Sequence, residues 1–303
     1  MRGSGHAQQG SSDGDVEVLP LRPVLVLSEE ELLVLTDGDL GVVPARIGVP
    51  TEPEADVLLR TVVTRSLMAR GLILPSGGGE RAPSAAPCPE PEPGARGGDA
   101  VDWEAAEWEA TEPLGLTLSL RAMAPVVLAL HRVLGLPAPR DGQGPSGRST
   151  PEAASTASGS TIATRYLHLH RELAVIEDVT PHGMHGLLTV FPDRYPEAVT
   201  DFIVPPGAVA GTGAVRTLGS DTDDPGVGPV SRLMADLGHP RVLVEVDLVR
   251  VDRAAGRWHQ SAQLMLALGE GGCFRAEDSR SYHPVDPGSM VAELLARALA
   301  LAP

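Results

Sequence analysis

The sequence predicts an α+β fold, with helices flanking a central antiparallel sheet. The clearest evidence lies near the C-terminus, where apolar and polar residues alternate over 242–251 and 257–268, and a third β-like run covers 273–283. Short turns separate these runs, and strands joined by tight turns are antiparallel. Helices with recognisable ends lie before and after the strands, and helices grouped beside an antiparallel sheet define an α+β fold.

The last helix is predicted over residues 290–301. Asp286 is a suitable N-cap, and Pro287 is tolerated in the first turn because its missing N–H would have no intrahelical partner there. We expect the strands of 242–283 to form the middle of the sheet and this helix to cover their apolar face.

Two further helices are predicted near the N-terminus, after a first strand within 16–27. Ser28 and Glu31 have the spacing of a capping box for a short helix that ends near residue 35. Thr51 and Glu54 have the same spacing before a helix over 54–70, which Gly71 can terminate in a left-handed conformation. The apolar residues of this second helix recur at helical spacing: Ala55, Leu58, Leu59, Val62 and Val63.

The segment 114–136 has two readings. Alternating leucines at its start favour a strand, but Pro125 divides the segment, and either half could be helical. Three β-like runs follow at 162–170, 173–180 and 186–191, and helices are predicted over about 193–203 and 227–237.

The domain organisation follows from composition. Residues 1–15 are a polar tail, and residues 16–303 are predicted to form a single α+β domain. Long disordered linkers interrupt this domain at about 76–112 and 137–160, because these stretches are rich in Pro, Gly, Ser, Ala and Glu and offer little to a core.

Charge and hydropathy exclude several classes of partner. The formal net charge is −16, so nucleic acid and anionic membranes are repelled. No apolar run is long enough to cross a bilayer, and the N-terminal residues lack the apolar core of a signal peptide. We therefore expect a cytoplasmic protein without membrane insertion.

The basic residues are all Arg, and the chain contains no Lys. A Walker A phosphate loop, a protein-kinase site and a pyridoxal phosphate Schiff base all require Lys, so these classes are excluded. The two cysteines, Cys88 and Cys273, are too few for a disulfide scaffold. We expect no cofactor, and the sequence contains no complete catalytic motif.

A cluster of histidines provides an alternative, enzymatic hypothesis. His168 and His170 are two residues apart on a predicted strand and share a face, and His182 and His185 lie in a predicted turn. If the four converge, they could bind a metal ion, with Glu177 or Asp178 as the general base of a metal-dependent hydrolase. The alternative interpretation is a polar strand face and turn.

Two smaller groups also have two readings. Arg165, Arg171 and Arg194 either serve an acidic ligand or lie exposed at strand ends. Trp103 and Trp108, both flanked by acidic residues, form either a short linear motif or an intramolecular lid on the sheet.

Several segments resemble the EspG family of cytosolic chaperones associated with type VII (ESX) secretion in actinobacteria. The first two are 40–47 (Leu-Gly-Val-Val-Pro-Ala-Arg-Ile) and the helix over 58–73 that closes on Ala-Arg-Gly-Leu-Ile. The middle of the chain is similar at 171–177, 186–190 and the helix leading to Val-Pro-Pro-Gly at 204–207. The last hairpin, with Gly256 and Arg257, and the closing helix are similar to the end of that family.

The resemblance implies an α+β fold with a central antiparallel sheet, no cofactor and a helical secreted protein as client. The predicted function is therefore a non-catalytic chaperone or adaptor. A client-binding surface should be an apolar patch with a polar rim. The predicted partner-binding residues share helical spacing beside a loop-like segment: Val230, Leu233, Met234 and Leu237.

Overall fold

The structure, a computed structural model, describes residues 21–48, 50–76, 108–134, 161–217, 234–253, 255–278 and 280–302. Within these ranges the centre of the molecule is a ten-stranded sheet in which neighbouring strands run antiparallel. The predicted α+β fold with a central antiparallel sheet is confirmed.

The strands of this sheet have the following bounds: β1 Leu25–Ser28, β4 Val126–Leu134, β5 Thr161–Leu169, β6 Ala174–Val179, β7 Met184–Val190, β8 Arg216–Thr217, β9 Val242–Asp252, β10 Arg257–Gly269, β11 Gly272–Ala276 and β12 Ser281–Pro284. A separate pair consists of β2 (Ile73–Pro75) and β3 (Trp108–Ala110).

Helices cover both faces of the sheet. One face carries α4 (Tyr195–Ile203), which follows a 3-10 turn at Pro192–Arg194, and α5 (Pro287–Leu301). The other face carries α1 (Glu29–Leu35), α2 (Pro53–Ala69) and α3 (Glu112–Met123). Alternate residues of the central strands enter two different cores, because successive side chains of a strand point to opposite faces.

The C-terminal helix α5 forms as its sequence predicts. Asp286 accepts a hydrogen bond from the backbone N–H of Ser289 at 2.8 Å, and Pro287 occupies the first turn. The helix buries Leu294 and Leu295 in the same core as the inward residues of β4, β9 and β10. It therefore covers β4, β9 and β10, as expected for the last two. The strands of 242–283 do not all form the middle of the sheet, however: in the order β1-β7-β6-β5-β4-β9-β10-β11-β12-β8, β11 and β12 lie near one edge and the centre is shared with β4 and β5.

The helix α3 resolves the ambiguous segment. Leu114 and Arg121 are buried seven residues apart on one side of this helix, whereas Leu116 is 57% exposed. The strand reading of the leucine alternation is therefore wrong, and the strand β4 begins only after Pro125.

Two other expectations need correction. The helix α2 begins at Pro53 with Glu52 as N-cap and no side-chain hydrogen bond, so Thr51 does not cap it. The predicted third C-terminal strand is divided into β11 and β12, because the Asp278 carboxylate accepts hydrogen bonds from the backbone N–H groups of Arg280 and Ser281 and turns the chain. The Ser28–Glu31 capping box of α1 is confirmed, and Gly71 ends α2 with a φ of +68°.

Parts of the predicted organisation lie outside the described residues: the tail, most of the first linker, all of the second linker and the start of the 227–237 helix. Residues 108–112, which were assigned to the first linker, form β3 and the start of α3. Trp108 packs partly buried against the core beneath α1–α3, whereas Trp103 lies outside the described residues. None of the described helices is long and apolar enough to cross a membrane.

Burial predicts different costs for two leucines of α5. Leu294 is 4% exposed and Leu299 is 37% exposed. We expect Leu294→Ala to lower the free energy of unfolding by about 2–5 kcal/mol, because it leaves a cavity in the core. The matched variant Leu299→Ala should lower it by less than about 1 kcal/mol. Urea unfolding of both variants measures the difference, and equal losses would contradict the placement of α5.

Candidate functional site

The most unusual polar feature of the described chain is a carboxylate in the core. Glu177 lies on β6 between Val175 and Val179, and these three residues point to the face covered by α1–α3. Its side chain is fully buried. A buried charge is tolerated only when it is paired and hydrogen-bonded, so the surroundings of Glu177 must supply donors.

Three side chains supply these donors. Arg121 of α3 donates from Nε to Oε2 of Glu177 at 2.8 Å and from Nη2 to Oε1 at 3.3 Å. His168 of β5 donates from Nε2 to Oε2 at 2.8 Å, and His185 of β7 donates from Nδ1 to Oε1 at 2.7 Å. Arg121 also donates to the carbonyl oxygen of Leu40 at 3.0 Å. We call the four side chains of Arg121, His168, Glu177 and His185 the buried network.

The ionisation of the buried network follows from these contacts. Burial disfavours the carboxylate, but the charge of Arg121 and the hydrogen bonds from His168 and His185 hold the pKa of Glu177 well below its ordinary value. Burial lowers the pKa of His168, and the hydrogen bond to Glu177 offsets this only in part. At neutral pH the network thus contains one buried ion pair and an uncharged His168.

The structure does not assemble the predicted metal site. His168 and His185 each bind Glu177, His170 donates to the carbonyl oxygen of Leu120 at 2.8 Å, and His182 is exposed in the β6–β7 turn. In the described part of the chain, no group of three or more His, Cys, Asp or Glu side chains is placed to bind a metal ion. The alternative site of His168, His170, His182 and His185 is therefore not formed.

The expected general bases also have other partners. Glu177 is committed to the buried network, and Asp178 accepts two hydrogen bonds from Arg165 at 2.6 and 2.8 Å on the opposite face of the sheet. Of the other arginines proposed for an acidic ligand, Arg194 pairs with Glu197. Arg171 is exposed at the β5–β6 turn.

A cavity of about 370 Å³ opens beside the buried network. Arg121 and His168 contribute to its floor, and Trp258 and Arg257, at the start of β10, lie at its edge. Trp258 is 59% exposed. The cavity therefore combines a polar floor with an aromatic edge, which is a suitable shape for a side chain of a partner.

The outer side of α2 is a second candidate surface. This 17-residue helix buries only Val63 and Leu67. Leu58 and Val62, one turn apart on the side facing away from the core, are 64% and 57% exposed, and Val57 is 46% exposed. The predicted apolar face of this helix is thus only partly used by the fold, and large apolar side chains remain accessible.

The position of α2 is fixed by polar contacts at its C-terminal end. Arg70 forms an ion pair with Glu31 of α1 at 2.6 Å, and Ser66 donates a hydrogen bond to the same carboxylate at 2.8 Å. Arg70 also donates to the carbonyl oxygen of Val26 on the edge strand β1. These contacts hold the helix against α1 and β1 with its apolar outer side exposed.

The predicted partner-binding residues are only partly described. Val230 and Leu233 lie outside the described residues. Residues 234–236 are helical, and Met234 is half-buried. Leu237 is 1% exposed and packs with Ala267, Phe274 and nearby residues of β10–β12.

Sequence reasoning missed Arg121 as a functional neighbour of Glu177. The available signal was the pattern of β6, where Glu177 occupies an inward position between two valines. A charged residue on an apolar strand face requires a buried partner of opposite charge. Arg121, on the buried side of the adjacent helix α3, is such a partner. It cannot be recognised as one when residues 114–120 are interpreted as a strand.

No protein-family model and no curated protein matches the sequence. Among solved structures, the chain is similar to the Mycobacterium tuberculosis type VII secretion system chaperone EspG5, determined in complex with the PE25–PPE41 dimer. The identity is 14% and the TM-score 0.41, over 64% of this chain and 79% of that chain. This is a weak structural resemblance to the family that the sequence segments resemble.

The buried network predicts unequal effects for two neighbouring carboxylates. Glu177→Gln leaves the Arg121 charge buried without a counter-charge, so we expect a loss of about 3–5 kcal/mol in the free energy of unfolding. Asp178→Asn removes a partly exposed ion pair, and its loss should be about 1 kcal/mol or less. Chemical denaturation of both variants checks this order, and a Glu177→Gln variant as stable as wild type would contradict the ionised pair.

The same pKa shifts predict acid sensitivity. As the pH falls below about 6.5, His168 binds a proton in the unfolded chain but not in the folded chain, where its pKa is lowered. Glu177, whose pKa is also lowered by folding, likewise binds a proton more readily in the unfolded chain below about pH 4.5. Stability is therefore complete at neutral pH and falls as the pH decreases, by at most about 1.4 kcal/mol per pH unit for each group.

The variant His168→Gln isolates the histidine contribution, since Gln keeps a donor for Glu177 but does not titrate. Unfolding free energies at several pH values between neutral and about 5.5 should fall less steeply for the variant than for wild type. Equal slopes would show that His168 is not the group responsible.

Proposed function

We propose that this protein is a non-catalytic cytoplasmic chaperone or adaptor that binds a helical secreted protein. The class of client is taken from the resemblance of its sequence segments to the EspG family. The observation that carries a binding role is the accessible apolar side of α2, formed by Val57, Leu58 and Val62.

The disposition of the ionisable groups supports a binding role over a catalytic one. The carboxylates that were candidates for a general base, Glu177 and Asp178, are each held by an Arg. Glu177 is also sealed from solvent, and His168 is only 2% exposed. A general base has to reach the proton that it abstracts, and the buried network serves to hold elements together instead.

The outer side of α2 suits a helical client. Leu58 and Val62 are spaced by four residues, so their side chains form a short ridge that can pack against the ridges of a second helix. Exposed apolar side chains with charged neighbours such as Arg60 and Arg65 resemble the core and rim of a protein interface. Removal of the three apolar side chains from water supplies the free energy of client binding, and the charged side chains around them fix the orientation of the client.

The residues predicted from the sequence pattern form a second proposed client-binding surface: Val230, Leu233, Met234 and Leu237. Within this set, half-buried Met234 is the described residue that a client can reach, and buried Leu237 supports the fold beneath it. Met234→Asp tests this surface separately from α2.

Affinity purification of the full chain from its native cytosol, followed by mass spectrometry, should recover a small helical secreted protein. Calorimetric titration of that protein should then show at least about tenfold weaker binding to the double variant Leu58→Asp/Val62→Asp, because two desolvated contacts are lost. The control Val209→Asp changes another exposed apolar residue, in the segment after α4, and should leave the affinity within about twofold.

The proposal fails if a metabolite or a metal ion co-purifies at equal stoichiometry and no protein partner is recovered. The assignment of the surface to α2 fails if the α2 double variant binds the client as tightly as wild type while remaining folded. In that case a loss on Met234→Asp would move the contact to the second surface.

A further inference from the structure

One end of the sheet carries a group of arginines that form no ion pair within the described part of the chain. At this end β4 begins, β5 and β9 end, and the β9–β10 hairpin reverses the chain direction. The register shows this, because Val126, the first residue of β4, pairs with Leu169 at the end of β5 and with Arg250 near the end of β9. The C-terminal end of α3 lies against it: His170 donates to the Leu120 carbonyl at 2.8 Å and Arg253 to the Ala122 carbonyl at 3.4 Å.

Four arginines are exposed here: Arg171, Arg250, Arg253 and Arg257. None of them forms an ion pair with any residue that the structure describes, whereas several arginines elsewhere pair with carboxylates, for example Arg165 with Asp178. Three carboxylates lie among these arginines: Asp39, which accepts from the N–H of Gly41 at 2.8 Å, Asp252, which accepts from the N–H of Ala255 at 3.1 Å, and Glu172. A backbone N–H orients a carboxylate without neutralising it, so the four arginines exceed the three carboxylates by one charge.

This small surplus of positive charge contrasts with the whole chain, whose net charge is −16. The four exposed guanidinium groups are accessible to the carboxylates of an acidic ligand, which they attract. Arg presents a planar fork of donors that matches a carboxylate in a bidentate fashion.

The same end of the sheet is also concave. Three cavities of about 370, 490 and 370 Å³ lie side by side, and Arg253 lines all three. Two large apolar side chains stand at their edges: Met123, 51% exposed, and Trp258, 59% exposed. Trp, Met and Arg are the residue types enriched in protein interfaces, and Trp and Arg often dominate the binding energy.

We propose that this surface, the arginine end, binds an acidic peptide segment of a protein partner. Carboxylates of the segment pair with Arg171, Arg250, Arg253 and Arg257, and one aromatic or long aliphatic side chain enters the cavity beside Trp258. The apolar anchors and separate cavities fit a peptide with alternating side chains. A nucleic acid, by contrast, carries far more charge and would be repelled by the acidic remainder of the chain. This inference does not depend on the chaperone proposal or on α2.

The direct test is fluorescence anisotropy with the full chain and a labelled synthetic peptide rich in Asp and Glu around one Trp. We expect Arg253→Glu to weaken binding at least tenfold, equivalent to about 1.4 kcal/mol, because this residue contacts all three cavities. Arg257→Glu and Trp258→Ala should weaken it several-fold. The control Arg22→Glu, an exposed Arg before β1, should leave the affinity within about twofold.

Two comparison peptides separate the contributions. Replacing Asp and Glu by Asn and Gln should abolish most of the binding, and replacing Trp by Ser should weaken it. Raising the ionic strength from about 0.05 M to about 0.5 M should also weaken binding, because exposed charges are screened.

Three results would overturn the inference. The first is absence of binding to the acidic peptide, or binding that Arg253→Glu leaves unchanged. The second is full competition by inorganic phosphate, which would indicate a site for small anions. The third is a dimer in sedimentation experiments that Arg253→Glu dissociates, which would assign the surface to a second copy of this chain.

Discussion

The fold depends on one buried charge, the carboxylate of Glu177. It receives donors from β5, β7 and α3 through His168, His185 and Arg121, and Arg121 in turn fixes the loop after α1 through the Leu40 carbonyl. Because an unpaired buried charge is so costly, these elements are constrained to one arrangement. The bond between Arg121 and Glu177 also positions the C-terminal end of α3. At this end the carbonyl oxygens of Leu120 and Ala122 accept hydrogen bonds from His170, before the β5–β6 turn, and from Arg253, in the β9–β10 hairpin. The α3 end thus contacts the arginine end, whose arginines are placed by the strand pairing of β4, β5, β9 and β10.

The sequence was sufficient for elements whose local signals agree with their packing. The strand β9 alternates between buried and partly exposed residues over 242–247 because one of its faces lies under α5, and α1 has a complete capping box. Prediction failed where two local rules compete. Pro53 requires an extended residue before it and is favourable at the first helical position, so α2 starts there and Thr51 is left outside. The leucines of 114–120 satisfy both strand and helix periods, and only Arg121 indicates which side of α3 is buried.

The surfaces were harder to predict than the fold. The periodic apolar residues of α2 suggested a single buried face, but Leu58 and Val62 are exposed, because α2 contacts the molecule along one narrow stripe. Of the four histidines predicted to converge, only His168 and His185 meet, and they do so by donating hydrogen bonds to Glu177, whereas His170 bonds the Leu120 carbonyl and His182 is exposed. The arginine end could be predicted only in part: Arg250, Arg253 and Arg257 share the predicted β9–β10 hairpin, but only strand order and register bring Arg171 of the β5–β6 turn beside them.

A double-mutant cycle on Arg121→Met and Glu177→Gln, followed by urea unfolding at neutral pH, tests the central claim most directly. If the buried ion pair couples α3 to the sheet, Glu177→Gln should be strongly destabilising alone and much less so when Arg121 is already Met. The coupling energy should then reach about 0.5–3 kcal/mol. Additive losses, with no coupling between the two substitutions, would contradict the claim.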